Sequence, residues 1–392
     1  MSTDDFPQPQ PRGIGTVAII GAGPGGLALA RLLQVRGVSA TVYERDGSPT
    51  ARRQGGSLDL RPDSGQRAIR AAGLEEVFAR SSREEAKAFQ LISSQGEVIP
   101  AGAEETHEDA GPEIDRGDLR QLLLDSLRPD AVAWGHTVQD VEPAGDGRWR
   151  VRFDEHPPVT ADLVVGADGI GSRVRRRLTD LQPFYTGHTM LAATMPEKLW
   201  RDSEISDVVG DGSVMFAGGG RTVFAQRCAG DLILLYFSMK VPRDWPGTSG
   251  FEPADTDSML MAVADAYQDW SPELLAMLLQ VEGPIQLWPL SVMPPEHRWH
   301  PQPGLTMLGD AAHVMPPFTG KGVNLALLDA LELADALTGP DPDPAASVAD
   351  FEQRMQARTV VEISACLGVG RDFYGIDMDF SDQAEQQRAS GR

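Results

Sequence analysis

Residues 16–21, TVAIIG, form an apolar run that predicts a buried strand. Gly21, Gly23 and Gly26 follow it. An apolar helix then runs to Gly37, which is placed as a C-cap glycine. Residues 39–44, SATVYE, predict a second strand, so the chain opens as a βαβ unit. Residues 64–79 predict a helix, and Asp115 is placed to cap another through DLRQLLLDSL. Residues 148–153 and 159–168 read as strands, the second ending at Asp168-Gly169. From about 182 to 242 the pattern changes to short β-like runs, SVMFAG, TVFAQR and LILLYFSMK, separated by Gly, Pro and Asp. That change predicts an antiparallel sheet inserted between two parts of the first unit. Residues 258–279 read as helical, and 305–309 (LTMLG) return to a buried strand. Residues 321–338 are strongly helical, and a longer helix is expected from about 345 to 371.

Composition adds limits rather than a function. The chain has 392 residues, with 41% hydrophobic and 23% charged, which is ordinary for a globular protein. A formal net charge of −22 argues against a nucleic-acid partner or an anionic membrane surface. Two cysteines, Cys228 and Cys366, support neither a disulfide framework nor a cysteine-based zinc site, and no metal is expected. Cytoplasmic residence follows as the default. Residues 1–13 are polar and Pro-rich, unlike a signal peptide, and read as a disordered tail. No apolar run approaches the roughly 20 residues of a spanning helix.

The glycine spacing carries the first chemistry. Gly21-Ala-Gly23-Pro-Gly-Gly26 fits G-x-G-x-x-G between a strand and a helix. The first glycine permits the turn, the second lets backbone approach a pyrophosphate, and the third lets helix and strand pack closely. Glu44, at the end of the next strand, is placed to accept from ribose hydroxyls. Arg45 either ends a solvated strand or meets adenine or phosphate.

The stretch GDAAHVMPPFTGKGVN, Gly309 to Asn324, carries the second. It sets Asp310 at a strand end, before a Gly-rich turn through Gly320 and Gly322 that opens a helix. Asp310 reads as a turn aspartate or as a binder of ribityl or ribose hydroxyls. The helix N-terminus is placed to stabilise negative charge on a reduced flavin ring. His313 reads as structural. Asp168-Gly169, followed by Ser172, Val174 and Arg175, is a weaker third marker. Arg116 and Arg120 lie one helical turn apart, either on a salt-bridged surface or facing a flavin and its phosphates.

Together these segments resemble the class A flavoprotein monooxygenases. VAIIGAGPGGLALARLLQ, VYERD, GGSLDLRPDSGQ, EIDRGDLRQLLLDSL and MLGDAAHVMPPFTGKGVN resemble the tetracycline-inactivating members in particular, over most of residues 16–375. The resemblance implies FAD contacts at Glu44, Arg45, Asp59, Arg116 and Asp310, and contact of Arg52 with NADPH. It implies that NAD(P)H reduces FAD, and that a flavin C4a-hydroperoxide passes one oxygen atom of O2 to the substrate. The flavin then carries the chemistry, and no protein nucleophile or acid–base dyad is required. Where the tetracycline enzymes place polar Gln, Arg and His, this chain has Ala192, Ser213 and Leu234, and Tyr236 stands at a glycine. Met215 is retained, Phe224 and Phe318 match pocket aromatics, and Pro317 with Phe318 is expected to border the substrate. These replacements imply a narrower, more apolar pocket and point away from tetracycline.

The expected fold class is therefore α/β, with a discontinuous Rossmann-like FAD-binding domain at 14–181 and 285–340. An antiparallel-sheet substrate domain occupies 182–284, a C-terminal helix 341–375 and a polar tail 376–392. The expected cofactor-binding set is Gly21, Gly23, Gly26, Glu44, Arg45, Arg52, Asp59, Arg116, Arg120, Asp168, Asp310, Gly320, Gly322 and Asn324. The expected cofactors are FAD and NADPH (or NADH). The expected activity is a monooxygenase for an apolar aromatic or polycyclic small molecule, acting as a monomer. A related FAD-dependent dehydrogenase or reductase, or a non-catalytic antibiotic-sequestering protein, are the alternatives.

Overall fold

A computed structural model describes residues 15–51, 55–83, 89–100, 111–202, 213–228, 232–245, 250, 255–341 and 343–381. Four apolar runs and one short strand build a five-stranded parallel sheet. Its order is Leu305–Met307, Leu163–Gly166, Val17–Ile20, Ala40–Tyr43 and Val132–Ala133. Strands of this kind are apolar throughout because both faces are covered. One face carries helices Pro24–Val35 and Gly322–Thr338. They approach so closely that a Cβ on Gly25 would press on Leu308 and Ala326. The other face carries a three-stranded meander, Val138–Gly145, Arg148–Phe153 and Val159–Ala161.

The second large sheet is mixed, and it departs from the expected boundaries. It has seven strands in the order Glu282–Val292, Phe184–Pro196, Leu232–Lys240, Arg221–Cys228, Ser213–Gly218, Phe89–Ser93 and Val98–Ile99. Ser213–Gly218 pairs parallel with Phe89–Ser93, so the sheet draws strands from well before residue 182. It also continues to Val292 rather than ending at 284. Pro284 and Pro289 look like breakers in the sequence. They are tolerated because Glu282–Val292 is an edge strand, whose outer side needs no ladder hydrogen bonds.

Two expected helices are each interrupted. The 64–79 segment is Gly65–Ala71 and Glu75–Ser81, turned at Gly73 with φ 71°. The 258–279 segment is Thr256–Ala266 and Pro272–Leu278, restarted by Ser271, whose hydroxyl accepts from the Leu274 amide. The helix pair covers the outer face of the seven-stranded sheet.

The C-terminal helix spans Pro344–Tyr374, capped by Asp343 on the amides of Ala345 and Ala346. It ends at Gly375 in the left-handed region, φ 63°. The chain then folds back. Ile376 is buried and donates its amide to Gly370, and the Phe380 ring meets Phe184 at 5.7 Å. The start of the segment read as a polar tail is thus packed. The tail expected at 1–13 lies outside the described residues. Among the described residues no helix is long and apolar enough to cross a membrane, and no group of side chains could hold a metal ion.

Candidate cofactor and substrate sites

The three fingerprint glycines have different surroundings. Gly21 adopts φ 106°, and a Cβ there would collide with the Ala167 carbonyl. A Cβ on Gly26 would collide with the Gly21 carbonyl. A Cβ on Gly23, by contrast, would meet no protein atom within 4 Å, and this glycine opens helix Pro24–Val35 without a side-chain cap. The helix thus starts beside open space at Gly23 and without a side-chain cap on its first amides, which suits an anion.

Two charged side chains hold the backbone of Ala22, one at its amide and one at its carbonyl. Glu44, 4% exposed, accepts the Ala22 amide at 2.6 Å and the Asp46 amide at 2.9 Å. Arg120 donates from Nε to the Ala22 carbonyl at 3.1 Å and from Nη1 to the Pro49 carbonyl at 2.6 Å. Its guanidinium also lies over Trp134. Arg120 is thus a buried support beneath the fingerprint turn. Arg45 is exposed at the strand end, and Arg116 is half-buried, with its amide donating to the Gly56 carbonyl.

The Asp168 loop lies against the same turn, its Cα 3.1 Å from a Cβ on Gly21. Burial pushes the Asp168 carboxyl above the usual carboxylate range, opposed by hydrogen bonds that include the Arg173 amide at 2.7 Å. Arg175, with no exposed surface, joins this loop to the next element. It donates to the carbonyls of Ile170, Asp310 and Ala311. Burial lowers its pKa to about 10. Arg175 belongs to the sequence marker, but no pattern in the sequence gives it this linking position.

Asp310 is exposed at the start of the short helix Asp310–His313. Behind it, His313 Nε2 and Asp329 lie 2.6 Å apart, and Arg358 donates to the other Asp329 oxygen at 2.7 Å. His313 is buried within this ion-paired cluster.

Gly320 adopts φ 67°, and a Cβ there would meet the Asp59 carboxylate at 3.0 Å. Asn324 spends both ends of its amide on the neighbouring segment. Its Nδ2 donates to the Asp59 carbonyl and its Oδ1 accepts the Arg61 amide, each at 2.8 Å. Asn324 therefore positions Asp59. Arg61, which the sequence did not single out, pairs with Asp59 at 3.2 Å and donates to the Thr319 carbonyl at 3.1 Å. Helix Gly322–Thr338 starts with no side-chain cap, leaving its first amides available. Arg52 lies outside the described residues.

The residues expected to meet substrate share one face of the seven-stranded sheet. Ala192 pairs with Tyr236, Tyr236 with Phe224, and Phe224 with Met215, giving a single cross-strand row. Leu234 and Ser213 lie two residues along their strands and so project to the same face. The opposite face is the core under helices Thr256–Ala266 and Pro272–Leu278. Phe318, from the Pro317–Thr319 turn, joins the apolar cluster of the row and stacks on Tyr374 at 4.0 Å. Tyr374, Ile376 and Trp288 belong to the same cluster. Sequence reasoning missed them because they come from the end of the long helix, the turn beyond it and the edge strand.

The flavin-family segments and the sheet face thus form one unit, and a family pattern described as FAD binding domain matches residues 15–218 and 296–340. The chain belongs to the class A FAD-dependent monooxygenases. Among curated relatives of this monooxygenase, Monooxygenase penA of Penicillium thymicola is 31% identical over 372 residues, covering 82% of this chain and 84% of its own. The 3-amino-4-hydroxybenzoate 2-monooxygenase of Streptomyces cremeus is 29% identical over 383 residues, covering 95% and 92%. The crystal structure of tetracycline destructase Tet(51) superposes with a TM-score of 0.67 at 20% identity, covering 97% of this chain and 95% of that one. That likeness establishes the shared fold. The protein is an FAD-dependent monooxygenase enzyme.

Proposed function

We propose that this monooxygenase uses NAD(P)H as reductant and transfers one atom of O2 to an apolar aromatic or polycyclic small molecule. The observation that carries the substrate class is the row Ala192–Tyr236–Phe224–Met215, flanked by Leu234 and Phe318. Such a wall excludes water and offers aromatic faces to a planar ring. The Streptomyces cremeus relative is named for an aromatic substrate, which supports the same class.

When bound and reduced, FAD supplies the activation of O2. The chain's tasks are to hold it and to place the substrate. In this reading Gly23 and the first amides of helix Pro24–Val35 receive the pyrophosphate, while Glu44 serves the ribose and Arg45 the adenine end. Asp310, Asp59 and Arg116 meet the flavin and its ribityl chain. The uncapped start of helix Gly322–Thr338 would favour negative charge on a flavin bound there. Gly320 keeps the turn close to Asp59, and Arg120, Asp168 and Asn324 act from behind. Arg52 is assigned to NAD(P)H on the family resemblance. No protein side chain is assigned as nucleophile or as acid–base pair.

The test is a panel of aromatic polyketides, hydroxybenzoates and antibiotics, scored for stimulated NADH or NADPH oxidation and for product mass. At least one aromatic member should accelerate oxidation and yield a product 16 mass units (about one oxygen atom) heavier. Stimulation confined to non-aromatic polar compounds would overturn the substrate class.

A further inference from the structure

Asp59 ends the short strand Ser57–Asp59, and one of its carboxylate oxygens would lie 3.0 Å from a Cβ on Gly320. The other oxygen is 3.2 Å from Nε of Arg61. Nη2 of the same guanidinium donates to the Thr319 carbonyl at 3.1 Å. Backbone bonds hold both residues as well. Asn324, in the first turn of helix Gly322–Thr338, accepts the Arg61 amide and donates to the Asp59 carbonyl. The ion pair is thereby fixed beside the start of that helix. Its side chains are only 20% and 21% exposed, so water screens them in part.

The neighbouring charges have other partners. Lys321, in the same turn, pairs with Glu362 at 2.7 Å. Glu113 stands opposite Asp59 in the ribbon and lies 4.0 Å from Arg83, which itself pairs with Asp115 at 2.7 Å. Among the described residues, Arg61 is the cation that meets Asp59. Without it, a full negative charge would stand against the roughly half positive charge of the helix start.

We propose that Arg61 raises the reduction potential of bound FAD by neutralising Asp59 at the start of helix Gly322–Thr338. This rests on the reading of these elements as the flavin site of an NAD(P)H-dependent enzyme, and it names the residue that tunes that site. A hydride passing from NAD(P)H leaves NAD(P)+ and adds one negative charge to the flavin. An unpaired Asp59 opposes that charge. The neutral pair leaves the helix start as the net local field. Arg61 is thus a positioning residue that acts through Asp59. A tether that only held the turn through the Thr319 carbonyl would act by geometry, and removing the Asp59 charge would not replace it.

The experiment equilibrates FAD-loaded wild type, Arg61→Gln, Arg61→Lys and the double variant Asp59→Asn/Arg61→Gln with a reference redox dye. Arg61→Gln should lower the equilibrium constant for two-electron reduction about tenfold, a fall of about 30 mV in midpoint potential. Arg61→Lys keeps the charge and should stay closer to the wild type than Arg61→Gln does. The double variant should return toward the wild-type potential. The proposal is overturned if Arg61→Gln matches the wild type, or if Arg61→Lys falls as far as Arg61→Gln. It is also overturned if the double variant keeps the lowered potential, or if Arg61→Gln no longer holds FAD. The aromatic-monooxygenase reading fails separately, through the absence of any aromatic compound that stimulates NAD(P)H oxidation.

Discussion

The Asp329 carboxylate accepts the backbone amide of Gly309 at 3.0 Å. Gly309 holds φ 57° and ψ −142°, a conformation that side-chain-bearing residues rarely adopt. A fully buried anion on helix Gly322–Thr338 thereby fixes the turn from which Asp310 starts its short helix. The anion is compensated by His313 and Arg358. Asp329→Ala removes the common partner of both cations, which should cost about 3–5 kcal/mol. Urea unfolding measures the loss, and the folded fraction should also retain less flavin. A variant of unchanged stability would contradict the anchoring role.

The same cluster gives a pH dependence. Burial alone would lower the His313 pKa, but the Asp329 charge and hydrogen bond outweigh it and raise it above 6.5. A raised folded-state pKa means stabilisation that is complete below the unfolded value and lost as pH rises through the folded one. The stability difference between wild type and His313→Gln should therefore shrink from pH 6 toward pH 9. Urea midpoints across that range check the sign, and a widening difference would contradict it.

Gly23 and Gly26 should separate cofactor binding from folding. A methyl on Gly23 meets no protein atom within 4 Å, whereas one on Gly26 strikes the Gly21 carbonyl. Gly23→Ala should leave the apoprotein within about 0.5 kcal/mol of wild type, yet weaken FAD binding at least about tenfold. Gly26→Ala should destabilise the apoprotein by about 1–3 kcal/mol as well. Apoprotein melting and FAD titration distinguish the two.

Asp310→Ala is the corresponding test on the second segment. The side chain is exposed, so the apoprotein should keep its stability within about 0.5 kcal/mol. FAD retained through purification should fall to a small fraction of wild type. Full retention would remove Asp310 from the cofactor contacts.

These positions also show which parts of the molecule are legible in sequence. The fingerprint glycines can be read because local backbone sterics and a short strand–helix unit determine them. The row through Ala192 and Tyr236 emerges from the family resemblance, and strand pairing explains it afterwards as one pleated face. The extent of the sheet is not local. Phe89–Ser93 joins Ser213–Gly218 across more than a hundred residues, and Pro284 and Pro289 are acceptable only at the edge. Arg61 and Asp329 act through carbonyls, amides and charges brought together by tertiary packing, so spacing in the chain carries no sign of them, and Arg175 is visible in its marker while its links to the carbonyls of Asp310 and Ala311 are not. Asn324 illustrates the converse. Its place in the flavin segment is evident, while the use of its amide on the 59–61 segment appears only in three dimensions.

In the proposed reaction an oxygen atom from O2 reaches the substrate. Single-turnover or steady-state reaction of the FAD-loaded enzyme with NAD(P)H, an aromatic substrate from the panel and 18O-labelled O2 tests it directly. The expected result is product carrying one labelled oxygen atom. Oxidised product free of label, formed while NAD(P)H is consumed, would contradict it and favour a dehydrogenase or reductase.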